Sequence, residues 1–262
     1  MTTIQHTGAK TAFGLDSLRN ALPVFGLLNP RNYARLALLS LGVGLSIAMA
    51  TQWLGQWPFW TFTAIVLVAL LPVGLRKWSD DKLRYGVTVM LLSVLLTAQG
   101  VHTIEHIVQW LQYHAAGLTP RQSNGLVSAA NAEWVHFFWN WAVLIVVTLL
   151  IRGGMRSALA WALFAVAAFH AVEHTYATVQ HLLVLSELRQ IGVTSVTAQG
   201  LPGILGRNGW LARSPLTQGT FLCTLPGLTT AVRLDVHFWW NVIETVLLLG
   251  AGNVFLARLA HK

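Results

Sequence analysis

Two short motifs that contain histidine each occur twice in this chain, in the same order. His-x-x-Glu-His occupies residues 102–106 and again 170–174, while Val-His-Phe-aromatic-Trp-Asn occupies 135–140 and again 236–241. All four copies lie in strongly apolar sequence, where ionisable side chains are costly and usually functional. A set of such residues that is duplicated in register indicates a shared polar task.

The spacing within the motifs predicts that their polar side chains share helix faces. Residues i, i+3 and i+4 of an α-helix point into one arc, so each His-x-x-Glu-His copy presents two imidazoles and a carboxylate together. Imidazole and carboxylate without sulfur suit iron, manganese, zinc or copper(II). The predicted metal ligands are His102, Glu105, His106, His136, His170, Glu173, His174 and His237.

The two symmetric arcs predict a dinuclear centre. A carboxylate can bridge two cations and cancel part of their charge, and ferritin-like di-iron proteins build their site from two helical pairs in a similar way, although with Glu-x-x-His spacing. We therefore expect two transition-metal ions, with iron as the first choice and zinc, copper or manganese as alternatives.

Five further residues have weaker signals. Asn140 and Asn241 follow a motif histidine by four residues and suit interhelical hydrogen bonds, orientation of a histidine, or ligation. Glu244 shares the face of Asn241 and is a candidate proton carrier or extra ligand. Tyr113 aligns with His181 in the second copy; the phenol is a candidate for redox work, and His181 is a weaker candidate ligand.

The remaining histidines and the cysteine carry less information. His6, His114 and His261 are compatible with ordinary packing or interface positions. The single cysteine, Cys223, excludes an internal disulfide and a thiolate-rich metal site.

The elements that position these residues are predicted to be membrane-spanning helices. The chain has 262 residues, of which 55% are hydrophobic and only 10% are charged. Soluble domains contain about a quarter charged residues, and a bilayer span needs about 20 apolar ones. Turn and charge signals predict six spans, at 36–54, 58–75, 85–113, 133–151, 157–186 and 235–257.

The motif spacing predicts an internal duplication. His102 and His170 are 68 residues apart, whereas His136 and His237 are 101 apart, and the extra length lies in the glycine-rich segment 188–232. The predicted fold is an all-α integral membrane protein in which spans three and four, and five and six, are a duplicated helical hairpin forming a four-helix bundle. The predicted units are 1–33 (interfacial), 34–78 (structural hairpin), 85–152 (first repeat) and 156–262 (second repeat).

Charge placement predicts orientation rather than a ligand. Of 17 basic residues, 12 flank the spans on one side. We therefore expect a protein of the cell (inner or plasma) membrane with both termini in the cytoplasm and the motifs near the extracytoplasmic face. The net charge of +8 is therefore assigned to topology and anionic lipid, and not to nucleic acid. Ala12 to Leu28 is predicted to be an interfacial helix that is broken at Pro23.

Several functions are compatible with these features. The first is an oxidase or oxygenase with a dinuclear metal site and a lipophilic substrate, with segment 188–232 as a lid, and with other membrane subunits or an electron donor as partners. Hydrolysis by a zinc pair is open as well. The alternatives are a haem- or chlorophyll-binding electron-transfer or pigment subunit, a proton or metal-ion transporter, and a single-zinc peptidase, since His-x-x-Glu-His also occurs in zinc peptidases.

Overall fold

The computed structural model describes residues 22–29, 31–194 and 200–260, and this part of the chain is helical and has no strand. Six of its helices are long and apolar enough to span a membrane, which confirms the prediction of an all-helical fold with six spans. They are α1 (Ala34–Gly55), α2 (Phe59–Tyr85), α3 (Val87–His114), α4 (Glu133–Arg152), α5 (Ala158–Gln190) and α6 (Arg233–Ala260).

Helix α2 is about ten residues longer than its apolar run predicts. Its last turns are charged, and ion pairs one turn apart support them, including Lys77 with Asp81. Tyr33 donates a hydrogen bond of 2.6 Å to Asp80 in the same region, and this bond together with partial burial raises the pKa of Tyr33. Gly86, at φ +87°, is the only residue between α2 and α3. Its conformation suits glycine and lets the chain reverse at once.

The predicted interfacial helix is seen only in part. Residues 12–21 lie outside the described residues. Pro23 is the first residue of a short helix, Pro23–Leu27, because proline is well suited to the first helical position, where its missing N–H group is not needed. The predicted break at Pro23 depends on residues outside the described ones. Val24 from this helix is buried in the apolar core near Gly252 of α6.

The helices pack in a simple order. Helix α1 contacts α2, and α2 contacts α3, while α3, α6, α5 and α4 form a closed series of neighbours. Small residues permit close approach, as helix packing in lipid requires: Gly44 of α1 lies against Ala69 of α2, with no space for a side chain. Around Leu92, Val147 and Leu248 the core is dry and apolar, and it occupies the half of the protein away from the histidine motifs.

Two long connections, 115–132 and 191–232, lie at one end of the protein, which we call the long-loop end. The described part of the second connection is ordered by its own backbone bonds, such as those from Gly206 to Leu228 and from Arg207 to Ala231. It includes the short helix Trp210–Arg213 and a 3-10 turn at Phe221–Thr224. Cys223 within that turn is a free, half-buried thiol.

Candidate metal centre

Six imidazole rings from four helices form one cluster at the long-loop end. Adjacent ring centroids are 4.6 to 5.8 Å apart, and the contacts run across both motif copies: His136 stacks on His174 at 5.1 Å, and His174 stacks on His237 at 4.9 Å. The cluster consists of His102, His106, His136, His170, His174 and His237. Every histidine that the sequence analysis assigned as a ligand therefore belongs to it.

The helix directions explain how distant segments meet. The first His-x-x-Glu-His copy lies in the second half of α3 and the second copy lies at the middle of α5, whereas His136 and His237 lie within the first five residues of α4 and α6. Each connection reverses the chain, so the end of one helix comes beside the start of the next. Local periodicity then turns the histidines of each helix to a common face.

The cluster contains polar atoms that the protein itself does not satisfy. Ring nitrogens of His102, His106, His136, His170 and His174 are buried without a hydrogen-bond partner among the described residues. Leaving such a group unpaired costs about 1–3 kcal/mol. Ligand atoms of three rings, His102, His106 and His136, all lie within 4.8 Å of one another, a separation that a single ion could bridge.

Glu105 bonds to the first long connection. Its carboxylate accepts hydrogen bonds from the backbone N–H groups of Leu126, at 2.7 Å, and Val127, at 3.1 Å. A side chain on Gly125 would overlap that carboxylate. This glutamate therefore holds the connection 115–132 against α3.

Glu173 makes the equivalent bonds to the second connection. Its carboxylate accepts from the backbone of Ile204, at 3.0 Å, and Leu205, at 3.2 Å, and Gly203 leaves the room it needs. A Gly-apolar-apolar segment thus follows each His-x-x-Glu-His copy, and this third duplicated pattern was missed at the sequence level. The close ligand group found among the described residues contains histidines only.

The two asparagines occupy matching positions. Asn140 and Asn241 each donate a 2.9 Å hydrogen bond from their amide group to the carbonyl of the histidine one turn earlier. The oxygen of Asn241 accepts from Gln99, whereas that of Asn140 is buried without a partner among the described residues. Both amide nitrogens therefore stabilise the helix turns that carry His136 and His237.

Glu244 contacts the cluster on the side away from the long-loop end. One carboxylate oxygen lies 2.9 Å from Nδ1 of His170, and the other accepts a 3.2 Å hydrogen bond from Gln99. All three side chains are buried. The aligned position in α4 is Val143, so only the second copy has a carboxylate behind its histidine.

Tyr113 and His181 lie farther along their helices. Each is seven residues beyond the last histidine of its motif, which is about 10 Å of helical rise. The ring of Tyr113 packs edge-on against His114, whose Nε2 is 2.7 Å from Asp235. His114 thus connects α3 to the start of α6, and His6 and His261 lie outside the described residues.

An ion pair that the sequence analysis missed closes the long-loop end. Arg233 lies 2.7 Å from Glu133, which is buried, and these are the first residues of α6 and α4. Arg233 also donates to the carbonyl of Leu201, and the Gly200 N–H group approaches Glu133 at 3.4 Å. The sequence contained one signal for this pair, because Glu133 and Arg233 each stand at the start of a helix that carries a motif histidine.

Aligned tryptophans lie differently beside the two copies. Trp240 stacks on His170 with an interplanar angle of 10°, whereas Trp139 is tilted by 45° from His102. On the Trp139 side a cavity of about 560 Å³ reaches His102 and His136. Its walls come mainly from α2, α3 and α4, with Val127, Ala130 and Asn131 of the first connection at one end and Leu28 and Tyr33 at the other.

This arrangement combines a concentration of imidazole ligands, a carboxyl group that orients one of them, and an apolar cavity at one side. Imidazole is the ligand that zinc, copper and iron commonly take in proteins. No protein-family model, no curated protein and no solved structure matches this chain.

Proposed function

We propose that this chain is an integral membrane metalloprotein whose six clustered histidines hold two transition-metal ions for redox chemistry on a lipophilic substrate. The observation that carries the proposal is the group of buried imidazole nitrogens without hydrogen-bond partners in the described chain. A packing role would leave those nitrogens unsatisfied at a cost of about 1–3 kcal/mol each, whereas metal ions would give each of these rings a partner at one nitrogen.

An internal duplication supports two ions rather than one. In this proposal α3–α4 and α5–α6 are copies of one hairpin, and each copy supplies three histidines. The matched bonds of Glu105 and Glu173, and of Asn140 and Asn241, support the duplication, because each pair makes the same backbone contacts in both halves. A single ion at the close group of His102, His106 and His136 would leave the corresponding three histidines of the other copy unused.

The glutamates are better suited to surround the ions than to bridge them. Glu105 and Glu173 are already bonded to loop backbone, and Glu244 to His170. Three carboxylates near the cluster would offset much of the charge of two divalent ions. The ligand set then consists of imidazoles, for which iron, copper(II) and zinc are all suitable, and iron remains the choice carried over from the sequence.

The location of the cluster favours a lipophilic substrate. The histidines lie within apolar helices that can span a membrane, and the adjacent cavity is lined largely by apolar side chains. The predicted orientation puts this site toward the extracytoplasmic face, with an electron donor or partner subunit completing the reaction. Transport is less well supported, because the half of the interior away from the histidines is a dry apolar core.

A tetrapyrrole is less well supported than bare ions. Axial ligation places imidazoles on opposite faces of a flat macrocycle. Here the rings contact each other directly, and His136 stacks on His174 with an interplanar angle of 16°. Opening the four helices enough to admit a macrocycle would separate these contacts.

Elemental analysis of the protein purified in lipid nanodiscs tests the proposal. We expect two transition-metal ions per chain, and the loss of at least one in each of His106→Gln and His174→Gln. His114→Gln is the matched control, because that histidine is paired with Asp235 outside the cluster, and both ions should remain.

Two outcomes would contradict the proposal. The metal site is rejected if correctly folded protein binds no iron(II), copper(II) or zinc(II) when each is added anaerobically. A Soret band in the visible spectrum would replace it with tetrapyrrole binding. Zinc as the only native metal would remove the redox role while leaving the metal site.

A further inference from the structure

The cavity beside His102 opens sideways between the helices, and not at the long-loop end. Leu71 of α2 and Val101 of α3 line it, and both are strongly exposed at 47% and 39%. They lie near the middle of helices that can span a membrane, away from the loops. The mouth therefore opens toward the hydrocarbon region of a bilayer, where only a lipid-soluble molecule would enter.

The opening follows from an asymmetry between the two hairpins. Helix α5 packs along much of α6, whereas α3 and α4 meet over a much shorter length. The gap between α3 and α4 is the cavity, and α2 forms its far wall. In the other hairpin, Trp240 stacks flat on His170, whereas Trp139 is tilted from His102.

The cavity walls also carry unpaired hydrogen-bond donors. The indole N–H group of Trp139 is buried beside His102 and has no acceptor in the described chain, and the same is true of Trp78 at the opposite end. Lys77 also lines the cavity, but its ammonium group is bound to Asp81 and Ser93. The donors left over are neutral, so they suit an uncharged acceptor rather than an anion.

We infer that this cavity binds an uncharged lipid with a hydrogen-bond-accepting oxygen, whose apolar chain lies between α2 and α3 and whose oxygen accepts from Trp139. A volume of about 560 Å³ is in the range of small-molecule sites. The oxygen then lies next to His102 and His136, which line the same cavity. That this lipid is the substrate rests on the proposed function, whereas its binding does not.

Photolabelling tests the inference. The probe is hexadecanol with a diazirine in the middle of its chain, added to the protein in phosphatidylcholine nanodiscs. We expect labelled peptides from α2 and α3, with labelling that unlabelled hexadecanol competes away. Hexadecane lacks the oxygen and should compete about fivefold less well, since a hydrogen bond contributes about 1 kcal/mol.

Matched variants separate the cavity from general lipid contact. Ala98 lines the cavity four residues before His102, so Ala98→Phe should reduce the competed labelling at least fivefold. Ala165 is exposed on α5 five residues before His170, and Ala165→Phe should leave labelling unchanged. Leu70→Trp on α2 fills the same space from the other wall and serves if Ala98→Phe does not fold.

The hydrogen bond has its own variant. In Trp139→Phe, hexadecanol and hexadecane should compete equally. Labelling that is spread over the lipid-facing surface, or is unaffected in both filling variants, overturns the inference. Metal content is measured in the same samples: labelling without metal rejects the proposed function alone, and metal without competed labelling rejects the lipid site alone.

Discussion

Glu244 lies 2.9 Å from Nδ1 of His170, and the two residues are brought together from helices α6 and α5 across 74 positions of sequence. Carboxylates that bond to the second nitrogen of a histidine orient the ring and increase its basicity as a metal ligand. The aligned residue behind His102 is Val143. The two halves of the proposed centre are therefore chemically unequal.

The first prediction concerns this contact. Glu244→Gln keeps the size of the side chain but replaces the carboxyl group with an amide, so we expect the affinity for one of the two ions to fall by about 10–100-fold. The other ion should be held as before, because His102 and His106 have no contact with Glu244. Competition with a chelator, followed by elemental analysis, measures both affinities.

Val143→Ala is the control for this experiment. Val143 is buried at the aligned position of α4, so its truncation disturbs packing without removing a charge. We expect lower thermal stability and unchanged metal affinity. Equal loss of both ions in Glu244→Gln would contradict the asymmetry.

The second prediction concerns the contact of Glu105 with the first connection. Gly117 and Gly125 both lie in that connection with similar positive φ angles, +68° and +71°, but only at Gly125 would a methyl group meet the Glu105 carboxylate. Alanine at either position carries the same backbone strain. Gly125→Ala should therefore be clearly more destabilising than Gly117→Ala.

Trypsin cleavage measures this difference directly. Arg121 is exposed between the two glycines. Cleavage there should be faster in Gly125→Ala than in Gly117→Ala, since the connection loses its bonds to Glu105. Equal cleavage rates would mean that the glutamate does not hold this connection.

The third prediction concerns the ion pair between Glu133 and Arg233. Removing one partner of a buried pair typically costs about 3–5 kcal/mol, because the other charge is left uncompensated. We expect Glu133→Leu to cost an amount at the low end of that range, because the arginine it leaves unpaired is partly exposed to solvent. Arg233→Met, which leaves a buried carboxylate, should be the more destabilising.

The double variant Glu133→Leu/Arg233→Met provides the control. With both charges removed, it should unfold at a higher temperature than Arg233→Met alone. Thermal unfolding in detergent compares the variants. Strictly additive effects would show that the two residues are not energetically coupled.

The fourth prediction concerns removal of metal. Stripping the proposed ions with a chelator should lower the unfolding temperature, because the imidazole nitrogens lose their partners. Adding metal back at one hundred times its dissociation constant should restore about 2.7 kcal/mol for each ion bound. His106→Gln should recover less, whereas His114→Gln should recover fully, and an unfolding temperature that does not respond to metal would contradict the site.

Much of this protein could be read from local sequence. Apolar runs determined the six spans, since length and hydropathy alone decide whether a helix can cross a bilayer. The motif spacing placed His102 with His106 and His170 with His174 on shared faces, because helical periodicity is a local property. The ring contacts within each pair follow that periodicity.

Only the tertiary structure determined the partners of the carboxylates. Glu105 and Glu173 resembled bridging ligands by spacing, yet their oxygens bond to loop backbone, and backbone donors in a loop have no sequence signature of their own. The pairing of Glu244 with His170 likewise depends on how α5 packs against α6. The cavity beside Trp139 lies where α3 and α4 meet over only a short length, and packing between helices is not a local property.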